Sequence, residues 1–382
     1  MGSVRIALVH DWLTGMRGGE KCLEAFCELY PEAPIYTLVH RPGSVSPTIE
    51  RHPIRTSFLQ RAPWGRTRYQ RYLALYPLAI ERFDLRGFDL VLSSSHAVAK
   101  GVVVHPGTVH VCYCHTPMRY VWHAYEDYFG RGRYRFPVSW ALSCLATGLR
   151  TWDAVSSQRV DHFIANSQNV AERIRRYYGR EASVIYPPLD TERFTPAAEV
   201  AREDFYLVIS ALVPYKRIDL AIEATRQLGR RLVVIGSGVE RRRLARTAGR
   251  HVEFRGWVGE TELLQTLRRA RALIFPGEED FGIVPLEAMA CDTPVIAYRA
   301  GGALETVVPG ETGLFFDRQE VGALRAALER CEQASFPPQA GRRHALGFAR
   351  ERFKGRIRSE IEAVCSSLPS ASGDVRERPW AM

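Results

Sequence analysis

The sequence predicts an α/β protein built on two doubly wound parallel sheets. Three observations carry that expectation. Strand-length apolar runs with little polar alternation recur along most of the chain, as strands buried on both faces require. Segments with apolar residues at three- and four-residue spacing stand between them, which makes βαβ alternation. The length, 382 residues, exceeds one ordinary core and suggests two domains of roughly 180 residues.

The elements follow in order. The first half offers the strands "RIALVHDW", "PIYTLVH", "DLVLSSS", "VHVCYCHT", "HFIANS" and "SVIYPP". The second half offers "FYLVISAL", "RLVVIGSG", "VEFRGW", "ALIFPG", "TPVIAYR" and "GLFF", with helices at "KRIDLAIEATRQLG", "ETELLQTLRRARA" and "VGALRAALERCEQ". Prolines and charges across 186–204 mark a linker. The domains are therefore placed at 1–190 and 200–345. A helix over 346–366 is expected to pack back toward the first domain, and 367–382, rich in Ser, Pro and charge, is expected to be a flexible tail. Two such domains facing one another would put the carboxyl ends of both sheets around one cleft, where ligands bind in such sheets.

Composition narrows the class. Apolar residues make 46% and charged residues 25%, a globular balance. No run reaches membrane-spanning length. The start, "MGSVRIALVHDW", reads as a buried strand broken by His10 and Asp11 and not as a secretory signal. A cytoplasmic protein is expected. Eight cysteines show no disulfide framework, and "CYCH" (Cys112, Cys114, His115) lacks a second ligand pair for zinc, so reduced buried thiols are expected and no metal site. The net charge of +10 attracts polyanions. The basic residues are dispersed and match no nucleic-acid-binding motif, so no nucleic-acid partner is expected; a basic nucleic-acid-binding protein stands as the contrasting class. Residues 55–83 interleave arginines with Phe58, Trp64, Tyr69, Tyr72, Leu73 and Tyr76. This mixture suits an anionic membrane surface on the cytoplasmic side, or else a basic helix pair covering the first sheet.

The segment "FPGEEDFGIVPLEAMAC" concentrates the chemistry. A strand ends at Pro276 and Gly277, an acidic loop follows, and Gly282 lets backbone approach a ligand. A helix opens at Ile283, since Pro285 is tolerated only in a first turn. Its unpaired N–H groups make an anion site, with Glu279 before it and Glu287 one turn in. Carboxylates beside a phosphate suit sugar hydroxyls; the alternative is an acidic loop and a capping glutamate without a ligand. Lys216 and Arg217 open another helix, where cations oppose the dipole, so they answer a bound anion or form an exposed basic pair. "VHDWLTGMRGGEK" passes through Gly15, Gly18 and Gly19 into a helix, a phosphate cradle or a plain βα turn. Neither this loop nor "GSGVER" (236–241) has the dinucleotide-binding glycine spacing. His115, at a strand's carboxyl end, is a sugar donor or a structural histidine.

Taken in sequence, these segments resemble the retaining nucleotide-sugar glycosyltransferases of family 4, with the GT-B fold. The E-x7-E pair Glu279 and Glu287, the glycine-rich "MRGGEK", the lysine of "LVPYKRID", the turn "VVIGSG", the loop "FRGWV" and "GGALETV" fall in family order over nearly the whole chain. "YCHTPMRYVW" and "LVPYKRIDLAIEA" are most similar to bacterial mannosyltransferases that build surface polysaccharides from GDP-mannose.

The resemblance implies a hexosyltransferase whose first domain takes the acceptor and whose second binds the donor. Lys216 would neutralise the diphosphate, Glu279 hold the transferred hexose, Glu287 the ribose, and His115 the sugar near its 6-position. Backbone at Gly18, Gly19, Gly282 and Ile283 would bind phosphate or sugar, and that at Trp257 and Val258 the base. Arg217, Gly236, Phe281 and Val284 complete the implied donor set. The departing phosphate would help deprotonate the acceptor. No cofactor or metal is implied. The acceptor implied is a saccharide or a polyprenyl-diphosphate-linked saccharide, at the inner face of the cytoplasmic membrane. Other enzymes of this fold, using UDP- or ADP-sugars (glucosyl, galactosyl or rhamnosyl transferases, or nucleotide-sugar epimerases), are the nearest alternative. One departure stands out. Many members carry arginine five positions before the lysine, and here that position is Ala211.

Overall fold

The computed structural model describes residues 4–122, 125, 137–197 and 199–367. Two sheets organise them. The first joins β1 (Ile6–His10), β2 (Ile35–Thr37), β3 (Ile54–Thr56), β4 (Leu90–Ser95), β5 (Val109–Cys114), β6 (His162–Ala165) and β7 (Ala182–Val184), in the order β3-β2-β1-β4-β5-β6-β7. The second joins β8 (Phe205–Ile209), β9 (Arg231–Ile235), β10 (Val252–Gly256), β11 (Ala272–Phe275), β12 (Val295–Tyr298) and β13 (Gly313–Phe316), in the order β10-β9-β8-β11-β12-β13. Pairing is parallel through β3, β2, β1, β4 and β5, and throughout the second sheet. The described residues gather into two compact units, one drawn from 4–114, 149–164 and 354–367, the other from those between 115 and 148 and between 165 and 353.

In the first unit, β1 and β4 are central and buried through Ala7, Leu8, Val9, Leu90, Val91 and Leu92. The helix Gly18–Leu29 packs its Cys22, Leu23 and Phe26 face inward, and the Phe26 ring meets Tyr113 of β5 at 5.6 Å. The last helix, Arg350–Ser367, joins this unit from Lys354 onward: Lys354 pairs with Glu28 at 3.2 Å and Glu360 with His162 at 2.8 Å. Residues 368–382, most of the expected tail, lie outside the described residues.

In the second unit, alternate strand residues face opposite sides. Leu207, Val233 and Leu273 join one apolar cluster, and Tyr206, Val208, Val234 and Ile274 the other. Helices cover both faces, which is why these strands read as unbroken apolar runs. The three helices expected here form at Ile218–Gln227, Glu260–Arg269 and Val321–Gln333.

Segment 55–83 is not the helix pair offered as one reading. It begins in edge strand β3, continues as 3₁₀ turns at Phe58–Arg61 and Tyr69–Leu75, and ends in a short helix, Tyr76–Glu81. Pro63 and Gly65 interrupt it, and Trp64 takes a left-handed φ of 54°. None of the eight cysteines forms a disulfide; Cys112 and Cys114 are buried in β5, whereas Cys144 and Cys365 are exposed.

Candidate active site

The second unit builds a site from the ends of β8 and β11. After Phe275 the chain turns out through Pro276 and Gly277, loops through Glu278–Phe281, and enters the helix Ile283–Ala290. Gly282 makes the entry with φ 88° and ψ 75°, a conformation glycine reaches without the penalty other residues meet. Pro285 lies in the first turn, where its missing N–H is no loss. No side chain caps this helix. Its first N–H groups therefore present the positive end of the helix dipole beside the acidic loop.

Lys216 closes the 3₁₀ turn Pro214–Lys216, and Arg217 caps the helix Ile218–Gln227 from a left-handed φ of 50°. That conformation costs an arginine about 1 kcal/mol. The Arg217 guanidinium turns to Asp219, at 3.3 Å, two residues on in the first turn of the same helix. Lys216 instead points at the acidic loop, where its ammonium contacts the Glu279 carboxylate, both side chains 15% exposed. Burial, and after it the Arg119 guanidinium, pulls the Lys216 ammonium down to about 7, with Asp280 opposing.

Arg119 is a second cation at this point. Its Nη2 lies 3.9 Å from Glu279 Oε2 and also contacts Asp280. The Tyr215 ring carries both cations: Arg119 sits 5.1 Å and Lys216 5.3 Å from its centroid. Asp280 is held from two sides, by Arg119 on one oxygen and Arg173 on the other. Arg173 also reaches Glu278 at 3.0 Å. The Ser167 hydroxyl donates to the Asp280 carbonyl at 2.7 Å while capping the helix Gln168–Tyr178. Glu305 accepts the N–H groups of Gln168 and Asn169 at that helix start, at 2.7 and 3.0 Å. The loop is thus a charge-balanced rim, with Glu279 between two cations that an anion would compete for.

The expected residues fall as follows. Lys216 and Glu279 meet, and Gly282, Ile283 and Val284 form the helix entry, with Glu287 one turn on. Phe281 is buried in the core, stacked on Tyr186 at 5.4 Å, and its backbone packs so closely on Gly302 that a Cβ there would stand 2.2 Å from Phe281 Cα. Trp257 is 84% exposed just after β10, and Val258 packs on the core. His115 follows β5 directly and is partly buried. Gly18 and Gly19, in the first unit, are the opening residues of their helix, where the Glu20 carboxylate already accepts the Arg17 N–H at 3.0 Å. Among the described residues no group of three or more His, Cys, Asp or Glu is placed to hold a metal ion, and no helix is long and apolar enough to cross a membrane.

Arg119, Arg173, Asp280 and Ser167 were not foreseen as site residues. Arg119 lay within the quoted "YCHTPMRYVW" and Asp280 beside Glu279; Arg173 carried no signal, being one basic residue among several on its helix.

Gly236 shows how tightly the neighbouring turn is built. A Cβ there would stand 1.9 Å from the Ser210 carbonyl oxygen, at a φ of 130°. Gly236→Ala should destabilise the chain by about 3 kcal/mol in a urea titration; a midpoint equal to that of the unsubstituted chain contradicts the packing.

Comparison with known proteins matches two family models end to end: Glycosyltransferase Family 4 over residues 17–193 and Glycosyl transferases group 1 over 190–346. Glycogen synthase of Mycobacterium tuberculosis is 31% identical over 243 residues, 59% of this chain and 57% of that protein. A GDP-mannose-dependent alpha-(1-6)-phosphatidylinositol monomannoside mannosyltransferase of Mycolicibacterium smegmatis is 32% identical over 240 residues, 52% of this chain and 63% of that protein. The chain thus spans less than two thirds of the curated relatives it matches. Among solved structures, sucrose-phosphate synthase from Thermosynechococcus elongatus superposes with a TM-score of 0.72 at 18% identity, over 96% of this chain and all of that one. Anabaena Alr3699/HepE in complex with UDP and glucose superposes at 0.68 and 18%, with the same coverage.

Proposed function

Because the chain belongs to the glycosyltransferases of the GT-B fold, with a family 4 domain followed by a group 1 domain, we propose that it moves a hexose from a nucleoside diphosphate sugar to a saccharide hydroxyl, with retention of anomeric configuration. Mannose from GDP-mannose is the donor proposed. The observation that carries this reading is Lys216 against Glu279 at the mouth of an uncapped helix. The diphosphate takes the helix N–H groups, Lys216 and Arg119, the last supplying charge that Ala211 does not. Glu279, released from Lys216, accepts hydroxyls of the transferred hexose, and Glu287 those of the ribose. His115 contacts the same hexose, Gly236 lines the donor turn, and backbone at Trp257 and Val258 meets the base. The protein supplies position and charge neutralisation as the anomeric carbon gains oxocarbenium character. Support for mannose comes from the Mycolicibacterium smegmatis relative, which is a GDP-mannose-dependent mannosyltransferase by name.

A thermal-shift panel of GDP-, UDP- and ADP-sugars tests the donor. GDP-mannose should give the largest stabilisation, about 2.7 kcal/mol when present at a hundred times its Kd. The UDP and ADP arms test the glucosyl transfer suggested by the glycogen synthase relative. No response to any of the three overturns the reading.

Donor affinity should depend on pH through Lys216. The ammonium binds the diphosphate, and its pKa near 7 means the charge fades as pH rises through that value. Donor KM should therefore rise above pH 7, and Lys216→Arg, which keeps its charge, should flatten that limb. A KM independent of pH from 6 to 9 in the unsubstituted enzyme contradicts this.

The acceptor proposed is a polyprenyl-diphosphate-linked saccharide presented at an anionic membrane surface. Phe58, Trp64, Leu75 and Leu78 are exposed beside Arg61, Arg66, Arg68 and Arg71, a combination that lies on anionic lipid. The chain should sediment with vesicles containing phosphatidylglycerol at low salt, and Trp64→Ala with Arg66→Ala should weaken that binding. Equal partition to neutral vesicles contradicts it.

A further inference from the structure

The segment "GGALETV" follows β12 and makes none of the donor contacts proposed above, yet its backbone lies against the acidic loop. The Gly302 N–H donates to the Glu279 carbonyl at 2.9 Å. A Cβ on Gly301 would stand 2.4 Å from the same carbonyl oxygen, at a φ of 58°, so glycine is what permits the approach. A short helix, Ala303–Thr306, comes next and carries the half-buried Glu305.

Glu305 reaches away from its own segment to the start of the helix Gln168–Tyr178. Its two oxygens accept the N–H groups of Gln168 at 2.7 Å and Asn169 at 3.0 Å, 137 and 136 residues away in sequence. That helix start already has a local cap, since the Ser167 hydroxyl accepts the Val170 N–H at 3.0 Å. A carboxylate suits the positive end of a helix dipole, but helices ordinarily take such a group from their own first turn. Here a distant one ties two segments together. The helix start then returns to the acidic loop. Ser167 Oγ donates to the Asp280 carbonyl at 2.7 Å, and Asn169 Nδ2 lies 3.3 Å from that carbonyl and 3.4 Å from the Glu279 carbonyl. Each of the two carbonyls thus takes two donors, and the chain of contacts closes on itself: loop, glycine turn, Glu305, helix start, loop. Fixing the peptide between Glu279 and Asp280 fixes ψ of Glu279, and with it the direction in which the Glu279 side chain leaves the backbone. A binding carboxylate is only as well aimed as the groups that hold it.

We propose that Glu305, through Asn169 and Ser167, is a positioning residue for Glu279 and sets the angle at which that carboxylate meets the transferred hexose. Both Glu305 oxygens are occupied by backbone N–H groups, so it acts through Glu279 and not on the sugar itself. The proposal rests on the glycosyl-transfer reading and adds to it what aims the hexose-binding group. Loss of Glu305 therefore weakens the hexose contacts and spares those of the diphosphate, which the helix N–H groups, Lys216 and Arg119 make.

The test is calorimetric titration of the full chain with GDP-mannose against GDP, and with UDP-glucose against UDP. In the pair that the unsubstituted chain binds, Glu305→Gln should lower affinity for the nucleotide sugar on the order of 10-fold and leave that for the nucleoside diphosphate unchanged. Asn169→Ala opens the same ring of contacts on its other side while Ser167 still caps the helix, and it should show the same split at about threefold. In a Glu279→Ala chain, Glu305→Gln should bring no further loss, because the two residues act as one. Equal loss for nucleotide sugar and nucleoside diphosphate marks a helix cap only and overturns the proposal. Unchanged affinities in both Glu305→Gln and Asn169→Ala overturn it too, as does a further loss in the Glu279→Ala chain. If Glu305→Gln does not fold, Asn169→Ala decides by the same split. Binding of neither pair by the unsubstituted chain overturns the donor reading, and this proposal with it.

Discussion

Lys216→Ala is expected to lower kcat/KM for the nucleotide sugar by on the order of 100- to 1,000-fold, as loss of a preorganised charge at a departing anion does elsewhere. The fold should not suffer. An ammonium whose pKa is held near 7, below its ordinary 10.5, is a cost to the folded chain. That cost is fully present below pH 7 and disappears as pH rises from there toward the ordinary lysine value. Removing the ammonium relieves that cost but leaves the Glu279 carboxylate with Arg119 alone, so the melting temperature at pH 6 should change little. On the proposed reading Glu279→Ala should likewise abolish transfer with the fold intact, by removing the group proposed to accept the hexose hydroxyls. Nucleotide release and a thermal melt on the same samples decide the matter; near-normal turnover in either variant contradicts the assignment.

Asp280→Asn should do the opposite, harming the fold first. Asp280 is 12% exposed and stands between Arg119 and Arg173, themselves 16% and 13% exposed. Neutralising it leaves two partly buried guanidiniums facing an uncharged amide, a loss of about 3 kcal/mol. The loop carrying Glu279 loses its clamp at the same time, so donor KM should rise about 10-fold. Urea titration reads the first effect and initial rates the second. Arg173→Met combined with Asp280→Asn should recover part of the stability, because one of the stranded charges is gone. An Asp280→Asn chain as stable as the unsubstituted one means the two arginines do not depend on this carboxylate.

Much of the second sheet was legible because its strands are buried on both faces. "ALIF" and "RLVVI" have no polar alternation to confuse them, and they form β11 and β9. The strand, loop, glycine and helix of 272–290 were legible for a local reason: Pro276, Gly277, Gly282 and Pro285 each admit few conformations at their positions. Edge strand β3 was not, because three residues centred on Arg55 carry no periodicity. For Arg217 the sequence offers two readings, a cation for an anion or part of an exposed basic pair, and neither includes its pairing with Asp219 two residues on. The clamp on the acidic loop was out of reach for another reason. Ser167 and Arg119 contact Asp280 from 113 and 161 residues away, and single-residue chemistry does not report such pairings. His10 and Asp11 were visible only as a break in the first apolar run; that the Asp11 carboxylate gathers four N–H groups is a property of the turn after β4.

The most direct test is proton NMR of GDP-mannose incubated with the enzyme, observed at the anomeric position as the donor is consumed. Released or transferred mannose should appear first as the α anomer, together with GDP, and Glu279→Ala should suppress both. Appearance of the β anomer first, or survival of GDP-mannose, UDP-glucose and ADP-glucose alike, would contradict a retaining glycosyl transfer centred on Lys216 and Glu279.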